Sequence, residues 1–166
     1  MVQSENILKV ENLYVSYDNV NIVRNISFDL KKQEFLGIVG ESGCGKTTLL
    51  RALMMLKRRG NSMKGRLLFQ GKDLTKFSEE ELRILRGEGI SMIPQNAFAA
   101  MDSTKTISSF FHETVQMHSS QKVARKDSDR LASDLMKKLL LQDTERILKS
   151  YPFELSGGMC QRVMIA

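Results

Sequence analysis

The stretch GESGCGKT, residues 40–47, fits the spacing G-x-x-x-x-G-K-[ST] at every position. That combination suits the holding of phosphate. Gly40, Gly43 and Gly45 let the backbone curl so that its N–H groups turn inward toward phosphate oxygens. Glu41, Ser42 and Cys44 complete the loop. A helix opening near Lys46 and running on through Thr47 and Thr48 adds its positive end. Lys46 is expected to reach the β- and γ-phosphates, and the Thr47 hydroxyl to bind Mg²⁺. A dinucleotide-binding reading fails, because GCGKTT lacks the last glycine of G-x-G-x-x-G.

A second stretch, LSGGMCQR at 155–162, places Ser156, Gly157 and Gly158 at a helix start. A hydroxyl and uncovered N–H groups there make a second candidate anion site. Two phosphate-type sites so far apart in sequence suggest a nucleotide held from both sides. Between them lies MIPQN, 92–96, which sets a polar Gln95 at the end of an apolar run. A glutamine in that position is able to ligate Mg²⁺ or the attacking water and to relay the contact to the helical segment beyond it.

The surrounding elements must carry these groups. Residues 7–17 alternate apolar and polar at several positions and read as a strand; 22–34 contain a second. FLGIVG, 35–40, is a short apolar run expected to be a strand buried on both faces. Leu49, Leu50, Leu53 and Leu56 recur at helical spacing after the loop. Residues 63–74 read as a strand turning at Gly71. Ser78 with Glu81 marks a capping box for a short helix closed by Gly87. GISMIPQ, 89–95, reads as another apolar strand. From 96 to 153 the period is helical, with Leu131, Leu135, Met136, Leu139 and Leu140 expected on one apolar face. The order favours an α/β core with an inserted helical subdomain. The expected organisation is a nucleotide-binding core and β-subdomain over 1–96, a helical subdomain over 97–154, and a signature with the start of its helix over 155–166.

In this order and spacing the motifs resemble those of the ATP-binding subunits of ABC transporters, and the resemblance covers essentially the whole chain. It implies a P-loop NTPase core with an N-terminal antiparallel β-subdomain and an inserted α-helical subdomain, binding ATP and Mg²⁺. It places Tyr17 where the family stacks an aromatic on adenine. It implies head-to-tail pairing with a second ABC ATPase subunit, so that Ser156, Gly157 and Gly158 act on the partner's nucleotide. Membrane-spanning permease subunits would receive the motion through the helical subdomain and Gln95, at the cytoplasmic face of the membrane. A solute-binding protein would take part indirectly. GKDLTKFSEEELRILRGEGISMIPQ, YPFELSGGMCQRVMIA and Met159 resemble the peptide and nickel importer branch.

The family pattern continues past VMIA with an apolar strand carrying a Mg²⁺-binding Asp and a water-orienting Glu, and later a switch His. None stands within these residues, so the chain reads as an incomplete cassette, a fragment or a truncated product. It is expected to bind nucleotide weakly without turning ATP over. His112 and His118 do not replace the switch. HETVQMH has Gln116 where H-E-x-x-H needs its second histidine, so no zinc site is expected and both read as surface residues.

Composition is that of an ordinary globular domain, 42% hydrophobic and 27% charged. No secretory leader or membrane-spanning run is apparent. Two cysteines, both inside glycine-rich motifs, fit a reduced cytosolic protein. The net charge of +6 is concentrated in 51–72, which holds Arg51, Lys57, Arg58, Arg59, Lys64, Arg66 and Lys72 without an acid. Only Phe69 interleaves these cations, so a solvated face is favoured and no nucleic acid is expected as partner. Two alternatives stay open: a soluble ABC protein acting on nucleic acid or ribosomes, and a non-catalytic nucleotide-binding module. A plain P-loop kinase would have no use for the Ser-Gly-Gly helix start.

Overall fold

Val10, Leu13 and Val15 are the buried residues of the first strand, a spacing that breaks simple alternation. In the computed structural model, which describes residues 6–56 and 60–166, the cause is a bulge. Strand β1 (Asn6–Tyr17) pairs with β2 (Val20–Lys31) and with β3 (Asn61–Phe69), both antiparallel. Against β3, Glu11 faces Arg66 and Tyr14 faces Lys64, so β1 spends one residue more than its partner. Asn12 takes up the slack at φ 48°. The inward face therefore changes from even to odd positions, and Leu13 and Val15 join Val10 in the core.

A two-residue β4 (Lys72–Asp73) completes a four-stranded sheet of order β2-β1-β3-β4. Helix α1 (Lys46–Leu53) lays Leu49 and Ala52 on the core that includes Leu13, Leu67 and Leu74. Helix α2 (Glu79–Glu88) adds Leu82. It runs through Gly87, the expected stop, and closes at Gly89, two residues later.

The capping box of α2 is present. Ser78 donates its N–H to Glu81 Oε2 at 2.7 Å, and Glu81 returns its N–H to Ser78 Oγ at 3.3 Å. The Ser78 backbone N–H, then its hydroxyl, hold the Glu81 carboxyl below its ordinary value of 4.5. A carboxyl depressed in the folded state stabilises above its unfolded pKa, and that contribution is lost as pH falls through the folded value. Glu81→Gln should therefore melt below the parent at about pH 6, with the gap closing as the solution is acidified. A gap constant down to acid pH in thermal unfolding would show the charged cap to be idle.

Two expected strands do not form. Residues 34–40 and 90–96 belong to no ladder, and Phe35 and Val39 are 100% and 97% exposed. A strand buried on both faces exists only through neighbours that take its N–H and C=O groups. Among the described residues none pairs with either run, so apolar content alone leaves them extended and uncovered. Gln95 consequently follows an irregular segment rather than a strand.

The chain divides into two compact units, Met1–Ser91 and Met92–Ala166. The second is wholly helical among the described residues. It holds α3 (Ala97–Ala100), α4 (Ile107–Met117), α5 (Arg125–Lys138), α6 (Thr144–Lys149) and α7 (Gly157–Ile165). Its core gathers Ile107, Phe111, Met136, Ile147, Cys160 and Val163. The inward stripe of α5 is Ser128, Ala132 and Met136; of the expected apolar face Met136 is buried, whereas Leu131 and, past the helix end, Leu140 are exposed. Small residues let α4 and α5 approach closely, and Ser128 satisfies its hydroxyl with His112 Nδ1 at 3.0 Å. His112 is thereby a half-buried interhelical residue, whereas His118 is exposed at the end of α4.

Candidate functional site

The loop before α1 closes on its own lysine. Lys46 Nζ donates to the carbonyls of Gly40 at 2.8 Å and Glu41 at 2.6 Å, and lies 3.7 Å from Cys44 Sγ. An ammonium is thus fixed over the curled backbone rather than extended into solvent. The turn is tied by Cys44 N–H donating to the Glu41 carbonyl. Gly43 and Gly45 adopt φ of 80° and 99°, the left-handed region that a Cβ disfavours. Gly45 is also pressed by β2: a Cβ there would lie 3.1 Å from Ile22 Cγ2 and 3.3 Å from the Ile22 carbonyl. The hairpin of β1 and β2 therefore seats the loop.

Helix α1 begins without a side-chain cap and without an acid in its first turn. Its first intrahelical bond runs from Leu49 N–H to Gly45 O, so the N–H groups of Lys46, Thr47 and Thr48 have no i−4 partner. Those donors, the helix dipole and the Lys46 ammonium all favour negative charge at one place. Glu41, Ser42, Cys44 and Thr47 are exposed around it, and Thr48 is half-buried.

Tyr17 ends β1, paired with Val20 across the hairpin turn and with Asn61 of β3. It is half-buried against the core of the first unit. The sheet thus brings an aromatic ring to the β1–β2 hairpin whose Ile22 abuts Gly45.

In the second unit Ser156 caps α7: its Oγ accepts from Met159 N–H at 3.3 Å. That leaves the hydroxyl hydrogen free to donate. Gly157 and Gly158 are exposed, and a Cβ on either would meet nothing within 4 Å. Their smallness is not required by this chain's own packing, which suits glycines kept bare for something outside it. Gln95 is exposed at a bend beside Asn96, the residue whose side chain caps α3. Lys57, Arg58 and Arg59 of the basic stretch lie outside the described residues. Of the remaining cations there, Arg66 pairs with Glu11 and Asp73, so the stretch is partly neutralised.

The two carbonyls that hold Lys46 come from within the motif itself, whereas the support from Ile22 is absent from any motif spacing, because it depends on a contact across the fold. The two thiols also part company. Cys44 is exposed, whereas Cys160 is buried, donates to the Pro152 carbonyl and has its thiol pushed up by burial. Alkylation of the native protein is expected to label Cys44 quickly and Cys160 only after unfolding, as peptide mapping would read. Equal native labelling would contradict the burial of α7.

The sequence pattern of the ABC transporter family matches residues 23–166. Dipeptide transport ATP-binding protein DppD of Bacillus subtilis (strain 168) is 39% identical over 98% of this chain and 50% of its own length. Metal-staphylopine import system ATP-binding protein CntD of Staphylococcus aureus (strain NCTC 8325 / PS 47) is 37% identical over 87% of this chain and 53% of its own. The chain spans about half the length of the relatives it matches. Among solved structures, the dimeric post-hydrolysis state of the ATP-binding cassette MJ0796 bound to ADP and Pi has a TM-score of 0.82. It is 22% identical and is aligned over 95% of this chain and 67% of that one, a likeness of fold. The α/β class with its antiparallel β-sheet and helical part is therefore that of an ABC cassette, incompletely represented. Among the described residues no helix is long and apolar enough to cross a membrane. The family match runs from β2 to the end of α7, through both the phosphate loop and the Ser-Gly-Gly helix, and the chain belongs to the ABC transporter family.

Proposed function

We propose that this chain supplies the ATP-binding half-sites of an importer's ATPase subunit, for short peptides or a metal chelate. The observation that carries it is the Lys46 ammonium held over an uncapped helix start by two loop carbonyls. On nucleotide binding, Lys46 exchanges those carbonyls for β- and γ-phosphate oxygens, and the α1 N–H groups take the remaining ones. Gly40, Glu41, Ser42, Gly43, Cys44 and Gly45 wrap the phosphates, and Tyr17 stacks on adenine.

The described residues hold no cluster of three His, Cys, Asp or Glu able to bind a metal. Mg²⁺ needs no such cluster when phosphates and water supply most of its ligands. The exposed Thr47 hydroxyl on the first turn of α1 fits that demand. Bound there, Mg²⁺ would neutralise developing charge on the phosphates. Ser156, Gly157 and Gly158, bare on this chain, serve the nucleotide of a second ATPase subunit paired head to tail. Permease subunits receive the closure through the helical unit, at the cytoplasmic face of the membrane, and a solute-binding protein delivers cargo. The names of the relatives, dipeptide transport and metal-staphylopine import, support that substrate class.

Cys44 provides the test, because it lies in the loop beside Lys46. ATP and ADP should slow its alkylation by iodoacetamide about tenfold or more, and adenosine should not. Unchanged labelling at millimolar ATP would sink the reading.

A further inference from the structure

The far end of the phosphate-loop helix is held in a strained turn. Met55 N–H bonds to Ala52 O, and Leu56 N–H to Arg51 O, the reciprocal pattern of a helix stop. That pattern wants glycine at the position of Met55, yet here a methionine takes φ 52°. Its side chain is buried in the core, which is why glycine would not serve. Two carbonyls past the stop, those of Met54 and Met55, have no helical partner.

Arg86, on α2, takes both. Its Nε donates to the Met54 carbonyl at 3.0 Å and its Nη2 to the Met55 carbonyl at 2.7 Å, in a half-buried setting. The planar fork matches two adjacent acceptors, and its charge lies at the negative end of the helix dipole. The opposite end of α1, about 12 Å away by its rise, is the phosphate site. Helix α1 is short and uncapped at that end, so its axis is fixed by the core beneath it and by this clamp.

We infer that Arg86 is a positioning residue for nucleotide: by clamping the strained end of α1 it fixes where Lys46 and the α1 N–H groups meet phosphate. The inference rests on the ATP-binding reading above. It also gives α2 a stake in that helix, and α2 leads directly into the segment carrying Gln95.

The experiment is displacement of a trinitrophenyl-ATP reporter by MgATP. The proteins are the parent, Arg86→Ala, Arg86→Lys and Lys46→Ala, with nucleotide-free thermal unfolding in parallel. Arg86→Ala should bind about tenfold more weakly, and Arg86→Lys, which lacks the fork, should resemble it. Millimolar methylguanidinium should restore much of the affinity of Arg86→Ala and none of that of Lys46→Ala. If Arg86→Ala does not fold, Arg86→Lys carries the comparison. Parent-like affinity in a folded Arg86 variant overturns the inference and leaves the ATP reading intact. So does an affinity loss that tracks the melting temperature and is not rescued. Failure of the parent itself to bind overturns both.

Discussion

Lys46→Ala should weaken ATP binding about a hundredfold while leaving the nucleotide-free protein folded. The ammonium is the cation that the loop itself holds in place, bonded to the Gly40 and Glu41 carbonyls. A charge-assisted hydrogen bond contributes about 1.5–3 kcal/mol. The phosphate bonds are charged at both ends and stand near the top of that range, about 3 kcal/mol each, whereas the carbonyl bonds given up stand near its bottom, about 1.5 each; the exchange leaves about 3 kcal/mol, which is roughly a hundredfold in Kd. The N–H groups at the start of α1 survive the substitution, so some binding remains. Lys46→Arg should lose nearly as much, since a planar guanidinium does not fit where a compact ammonium reaches two carbonyls at the end of a flexible stem. Calorimetric titration with MgATP measures both. Affinity of Lys46→Ala within about threefold of the parent would mean that the helix start, not the lysine, dominates the site.

The phosphate loop is readable from sequence because its demands are local: two positive φ angles, a lysine and a helix start lie within one short stretch. Ser78 with Glu81 and Ser156 before Gly157 are readable for the same reason, since a cap is a contact over three residues. Residues 35–40 and 89–95 mislead because an apolar run states only that a segment prefers burial. Whether it becomes a strand is decided by a neighbour it does not encode. The stripe of α5 departs from expectation for a related cause. Leu131 and Leu140 carry the larger apolar surface, but Ser128 and Ala132 permit the closer helix contact, and the close contact is the one that is buried. Arg86 leaves a trace only as a basic residue in the last turn of α2. Nothing in its spacing points to the end of another helix.

Gly65→Ala should be the most damaging single-methyl change in the first unit, at about 3 kcal/mol. Gly65 lies opposite the bulge at Asn12, at φ 110°. A Cβ there would stand 2.5 Å from the Asn12 carbonyl oxygen and 2.7 Å from that of Glu11. Both are backbone atoms, and Asn12 is anchored on its other side by its N–H bond to Ser27 Oγ at 2.8 Å. The methyl has no flexible side chain to push aside, so β1 and β3 must part or the bulge must slip. Slippage by one residue would turn Leu13, Val15 and Tyr17 away from the core. The damage would therefore reach the proposed nucleotide site through the hairpin that supports Gly45 and through Tyr17, the residue proposed to stack on adenine. Gly71→Ala is the matching control. Gly71 also has a positive φ, 79°, but a Cβ there meets nothing within 4 Å. It should cost only the conformational part, about 1 kcal/mol. Thermal unfolding should then order the proteins as parent, Gly71→Ala and Gly65→Ala, the last melting about 10 °C below the parent. Equal melting of the two variants would show that the close approach of β1 to β3 carries no weight, and that the register of the sheet is held elsewhere.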